Sequence, residues 1–157
     1  MSVGTDIAAA DGAGVLRRWE LHFPRYSAAQ LFDLVADIES YPRFVPGCVA
    51  TRIAARHTDG TWLVDNVFGF GPMRAHFRSR AVPQPPERLE IVSQDGPWRR
   101  FAMLWRFTDD GDGCRVDVEV EMSFRSALLG SLAGAGLPQV VPRIIGAFEE
   151  RATALYG

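Results

Sequence analysis

The sequence contains no lysine; all 17 of its basic residues are arginine. Together with the many alanines, this reads as the codon bias of a GC-rich bacterial genome and not as a mechanism. Cysteine is scarce: Cys48 and Cys114 form no C-x-x-C and no disulfide framework, so a reducing cytoplasm is the expected compartment. The three histidines, His22, His57 and His76, are scattered, with no H-x-x-x-H, H-E-x-x-H or Cys/His ligand spacing, so no metal site is expected. There is no G-x-S-x-G, Walker or G-x-G-x-x-G loop, and the bare Gly69-Phe70-Gly71 reads as a turn. No run approaches the roughly 18 apolar residues that span a bilayer. Residues 1–14 lack a basic region followed by an apolar run, and read as a flexible N-terminal tail. The net charge of −2 excludes a protein whose main work is coating nucleic acid, and no DNA partner is expected.

What is present is an ordinary globular chain of 157 residues, 47% hydrophobic and 23% charged. One domain, 15–157, is expected. Trp19, Leu21 and Phe23 alternate with polar residues and predict a strand. Ser27 and Gln30 have capping-box spacing, with Tyr26 and Leu31 as a hydrophobic staple, and predict a helix to about Ala36. Asp37 opens a second short turn. Strand-like runs follow, separated by turn signals at Asp59-Gly60, Gly69 to Pro72, Pro83 to Pro86, Asp95-Gly96-Pro97 and Asp109 to Gly113. The clearest is Cys114 to Phe124, where Cys114, Val116, Val118, Val120, Met122 and Phe124 alternate with polar residues, as in an antiparallel sheet with one wet face. From Pro138, the spacing of Val141, Ile144, Ile145, Phe148, Ala152 and Leu155 predicts a long helix. The fold expected is α+β. A curved seven-stranded antiparallel sheet wraps around the C-terminal helix, with two short helices after the first strand: a helix-grip arrangement.

Several residues carry competing readings. Cys48 and Cys114 read as small buried hydrophobes before they read as reactive thiols. Arg74, Arg78 and Arg80 form a basic stripe, and Asp117, Glu119 and Glu121 an acidic one; cross-strand pairing on a solvated sheet face is favoured over an RNA or phospholipid contact. Trp62, Phe68, Phe77, Phe101, Met103, Trp105, Met122 and Phe124 fall on apolar strand faces. Such a set suits a ligand cavity with adaptable walls, or a plain core, and periodicity does not separate the two.

Leu34-Val35-Ala36-Asp37-Ile38-Glu39-Ser40-Tyr41-Pro42-Arg43-Phe44-Val45-Pro46 resembles a segment of the coenzyme Q-binding, START-like family. Asp95 to Phe101 with Trp105-Arg106-Phe107, Phe124 to Leu129, and Ala147 to Ala152 with Leu155-Tyr156-Gly157 are similar to further blocks of it, in the same order. One departure is Gly47, where the family often carries Trp after the motif proline. The resemblance implies a START/Bet v 1-like fold in the polyketide cyclase/lipid transport superfamily. It implies binding and transport of ubiquinone or another polyprenyl lipid in support of respiration, with no cofactor beyond such a bound lipid. A bacterial branch implies an alternative, a ribosome-association toxin acting on the large subunit. Aromatic polyketide cyclases imply a second.

On the leading expectation the protein is not an enzyme. Trp62, Phe68, Phe77, Met103, Trp105 and Met122 form the sheet wall, Val141, Ile145 and Phe148 the helix wall, and Phe44, Val45 and Pro46 the mouth. Asn66 is the polar wall residue expected. The segment Ser126 to Leu137 carries Gly130, Gly134 and Gly136 among its leucines. It reads either as a softened start to the closing helix or as a mobile lid whose Leu128, Leu129 and Leu132 touch a membrane surface. The expected location is cytoplasmic, with transient contact at the inner membrane.

Overall fold

A computed structural model describes residues 2–8, 14–70 and 72–157, without the side chains of 2–8, 70, 73 and 132–139. Strands β1 (Ser2–Ala8) and β2 (Gly14–Phe23) precede helix α1 (Ala28–Ala36) and a 3-10 helix (Ile38–Arg43). Six strands follow in hairpin succession: β3 (Cys48–Arg56), β4 (Trp62–Phe70), β5 (Met73–Gln84), β6 (Arg88–Ser93), β7 (Trp98–Asp110) and β8 (Gly113–Phe124). Helix α2 (Ala127–Tyr156) closes the chain. All strands lie in one antiparallel sheet, ordered β1-β2-β8-β7-β6-β5-β4-β3.

The expected seven strands and helix-grip are present, and an eighth strand precedes them. Residues 2–8, expected as part of a tail, pair with β2 from Ser2↔Leu21 to Ala8↔Val15. β-branched Val3, Thr5 and Ile7 suit a strand, and β2 would otherwise present an unpaired edge. The helix also starts eleven residues before Pro138. Ser126 caps it, accepting from the Leu129 N–H at 3.3 Å. The glycines therefore soften a helix and do not replace it. Pro138 and Pro142 each remove one backbone donor from its interior.

Topology explains the concavity. β2 and β3 are consecutive strands but sit far apart in the sheet, so α1 and the 3-10 helix carry the chain from one to the other. The capping box forms as spaced: Ser27 Oγ accepts from Gln30 N, and Gln30 Oε1 accepts from Ser27 N at 2.9 Å. Leu31, Phe32, Leu34 and Val35 are buried, and Phe32 meets Phe107 edge-on at 5.7 Å. The 3-10 helix is tied to β3, with Thr51 Oγ1 donating to Ile38 O at 2.7 Å and Ile53 N to Glu39 Oε2 at 3.0 Å. At its C-terminus α2 is tied to α1, with Tyr156 Oη donating to Gln30 O at 2.8 Å.

The sheet's outer face is charged and internally paired. Arg18 meets Glu119 and Arg100 meets Glu121, each at 3.2 Å, while Arg52 and Arg78 both hold Asp65 at 2.9 Å. The Arg52 hydrogen bond, with Arg78 beside it, keeps the Asp65 carboxyl below the usual range. Arg80 lies 3.6 Å from Asp59. Arg74 and Arg99 have no such partner among the described residues.

Candidate functional site

Between the inner face of the sheet and α2 lies a cavity of about 150 Å³. Its walls follow from strand alternation. On β4, Val64, Asn66 and Phe68 share one face; on β5, Phe77 and Ser79; on β7, Phe101, Met103 and Trp105; on β8, Val118, Val120 and Met122. Val140, Val141, Ile144, Ile145 and Phe148 of α2 form the opposite wall, and Ile38, Tyr41, Val45 and Pro46 close one side. No charged residue is among them. A space of this size holds one benzene-sized ring.

Ten of the expected ligand-contact residues line this space: Val45, Pro46, Phe68, Phe77, Met103, Trp105, Met122, Val141, Ile145 and Phe148. Phe44 and Trp62 do not. Phe44 packs behind the wall, edge-on to Tyr41 at 5.9 Å and to Phe148 at 5.2 Å, with the Arg151 guanidinium 5.1 Å from its ring. Trp62 shares its strand face with Val64 and Asn66 but lies beyond the end of the cavity, covered by Arg56 at 4.6 Å. Of the leucines expected at a lid, Leu128 is 69% exposed and Leu129 is half-buried. Leu132 lies outside the described side chains.

Trp19, Trp98, Ser79, Ile91 and Ile144 belong to the wall without having been singled out for it. Trp19 and Ser79 were legible, since each lies on the apolar face of its alternating run. Trp98 was not. The β7–β8 register shifts between Trp98 and Arg100, and this bulge turns Trp98 inward on the same side as Phe101, three residues on. Its ring lies 4.9 Å from those of Phe101 and Phe124 and edge-on to Phe77 at 5.5 Å.

Gly47, the departure at the mouth, has φ +82°, and its carbonyl accepts from Gly69 N at 2.7 Å. A Cβ there would sit 3.1 Å from Gly69 O. This chain turns where a bulky residue would be strained. Burial pushes both the Cys48 and Cys114 thiols up to about 11, which disfavours the nucleophilic thiolate. Tyr41 donates to Val35 O at 2.5 Å, and burial holds its phenol well above the usual range. Among the described residues no group of His, Cys, Asp and Glu is placed to hold a metal.

Residues 25–149 match the family described as polyketide cyclase/dehydrase and lipid transport. The chain belongs to this family. Within the cyclase/lipid-transport family, the ribosome association toxin RatA of Pseudomonas aeruginosa is 27% identical over 84% of this chain and 92% of its own. The mitochondrial coenzyme Q-binding protein COQ10 homolog B of Xenopus laevis is 29% identical, over 84% of this chain and 56% of its own. The solution structure of an 18 kDa protein of Caulobacter crescentus is 32% identical and superposes with a TM-score of 0.73, covering 90% of this chain and 98% of that one. The fold is the START-like helix-grip.

Proposed function

We propose that the protein is a non-enzymatic carrier of a hydrophobic ligand, and that the ligand is ubiquinone or another polyprenyl lipid. The observation that carries this reading is the charge-free cavity, walled by aromatic residues and methionines and covered by α2. The likeness to a coenzyme Q-binding protein supports the ligand class. The polar groups on the wall, Asn66, Ser79 and Tyr41, do not titrate near neutral pH, which supports binding over a cyclase's proton transfers.

A cavity of about 150 Å³ takes a ring and not a polyprenyl tail. The tail therefore runs out past Val45 and Pro46 or lifts the first turns of α2. Those turns carry Gly130, Gly134 and Gly136 and precede the two missing donors at Pro138 and Pro142, so the helix's own bonds hold them less firmly. Leu128 projects from them into solvent, and Arg125 and Arg143 are exposed nearby in the chain. This is the composition of a lid that presses leucine into a bilayer surface, where each buried CH₂ contributes about 0.8 kcal/mol.

Trp19, Trp98 and Trp105 line the cavity, so added quinone is expected to quench their fluorescence, and quinone is expected to co-purify from a quinone-making host. A clean organic extract together with unquenched tryptophan would sink the reading. Leu128→Asp is expected to lower vesicle co-sedimentation and quinone transfer severalfold. Its melting temperature should stay close to wild type, because the side chain is 69% exposed. A large loss of stability would instead make Leu128 a packing residue.

The RatA relatives favour a second reading, contact with the ribosome. Arg74 and Arg99, exposed and without a carboxylate partner among the described residues, are its candidate contacts. Sedimentation with ribosomal subunits that fades as salt rises tests it; protein left at the top of a low-salt gradient ends it.

A further inference from the structure

One patch of the cavity wall is polar. Asn66 is 8% exposed and Ser79 4%. They stand on neighbouring strands, Asn66 opposite Phe77 and Ser79 opposite Val64, so they are diagonal neighbours on the inner face. Asn66 Nδ2 lies 3.2 Å from Val64 O, 3.2 Å from Phe77 O and 3.0 Å from Ser79 Oγ. Two of these three are carbonyl oxygens, which only accept. The atom facing them must therefore be the amide nitrogen, and this fixes the orientation of the side chain.

Two consequences follow for the cavity. Asn66 Oδ1 faces away from those carbonyls, and no donor among the described residues reaches it. It is not sealed off either, in contrast to the indole nitrogens of Trp98 and Trp105, which are buried without a partner. Ser79 Oγ shares the two hydrogens of the Asn66 amide nitrogen with Val64 O and Phe77 O, and no described residue takes the Ser79 hydroxyl hydrogen. The patch thus offers the cavity one free acceptor and one free donor, side by side, on a wall that is otherwise apolar except for Tyr41, whose hydroxyl hydrogen is taken by Val35 O.

We propose that Asn66 and Ser79 form a hydroxyl-binding subsite, which selects an aromatic ring carrying a free OH. That hydroxyl donates to Asn66 Oδ1 and accepts from the Ser79 hydroxyl. Phenols and quinols meet both demands. An oxidised quinone, which only accepts, leaves the buried Asn66 oxygen unpaired. The inference rests on the reading of the cavity as a ligand site and narrows its ligand to the reduced or phenolic form.

The test uses the full chain and two probes, 4-hexylphenol and its methyl ether, 4-hexylanisole, titrated by calorimetry. Wild type is expected to prefer the phenol, with a phenol-to-ether affinity ratio that falls by about tenfold in Asn66→Leu. Comparing ratios removes the difference in hydrophobicity between the probes. Ser79→Ala, a smaller change, is expected to lower the ratio severalfold, and it decides the matter together with wild type if Asn66→Leu fails to fold. Under anaerobic conditions, a short-tailed ubiquinol should bind wild type more tightly than its quinone, and Ser79→Ala should narrow the gap. Equal affinity of wild type for phenol and ether overturns the subsite and leaves the cavity's role in hydrophobic binding intact; it would mean that the pair holds water. Failure of both probes to bind overturns the ligand-site reading itself.

Discussion

Trp105→Ala is expected to lower the melting temperature by roughly 6–20 °C. Trp105 is 2% exposed, in mid-β7, paired with Leu89 of β6 and Val118 of β8. Its ring stacks on Phe107 at 6.3 Å and lies 5.0 Å from Phe148, so it joins the sheet to α2. Truncating a buried tryptophan costs about 3–5 kcal/mol, and a domain of this size loses about 2–4 °C per kcal/mol. The indole N–H is buried without a partner, so its removal offsets part of the loss. Trp105→Phe separates these effects: it fills most of the space without the orphaned donor, and should cost under about 1.5 kcal/mol. The void left by alanine opens into the existing cavity, so indole added to Trp105→Ala should restore part of the melting temperature through linkage. An alanine variant within about 1 kcal/mol of wild type in urea unfolding would show that the sheet–helix seam does not depend on this ring.

Much of the fold was legible because one face of an antiparallel sheet is wet. Cys114, Val116, Val118, Val120 and Met122 are buried as alternation requires, with charged residues between them, and Ser27 caps α1 as its spacing to Gln30 indicates. The N-terminal half of α2 was not legible in that way. Its glycines and prolines lower helix propensity residue by residue, while the Ser126 cap and continuity with the packed half carry the helix through. Ser2–Ala8 was hidden for a different reason: its partner is an edge, and an edge strand needs backbone pairing more than an apolar pattern.

The cavity was half legible. Alternation gives the facing of Phe68, Phe77, Met103 and Trp105, but it does not say where a wall ends. Trp62 has the right parity and the wrong position along β4. Phe44, just after the 3-10 helix, follows no simple two-residue parity, and its ring turns away from the cavity to Tyr41 and Phe148. The polar pair is the instructive case. Asn66 stands out in sequence as a polar residue on an apolar face, but its free oxygen becomes visible only once Val64 O, Phe77 O and Ser79 Oγ are seen to occupy its nitrogen.

The other large effect is expected at Gly113, and it distinguishes two reasons for glycine within one hairpin. Gly111 has φ +60° with open space where a methyl group would sit, so Gly111→Ala meets only backbone strain, about 1–2 kcal/mol. Gly113 has an ordinary φ and no room. A Cβ there would lie 2.1 Å from Phe23 O, 2.6 Å from Pro24 Cα and 2.7 Å from Pro24 C. All three are backbone atoms at the corner where β2 ends and the chain turns toward α1. The proline ring fixes φ at that corner, and Phe23 is held opposite Cys114 in the ladder, so neither side yields cheaply. Gly113→Ala is expected to cost about 3 kcal/mol or more, at the upper end of overpacking. Because the displaced corner launches α1 and, through it, the 3-10 helix that closes the cavity, quinone quenching should weaken in the same variant even where it remains folded. Urea unfolding of the two variants side by side checks the order. If Gly111→Ala is the more damaging, the Phe23–Pro24 corner is compliant and the close approach at Gly113 does not constrain the fold.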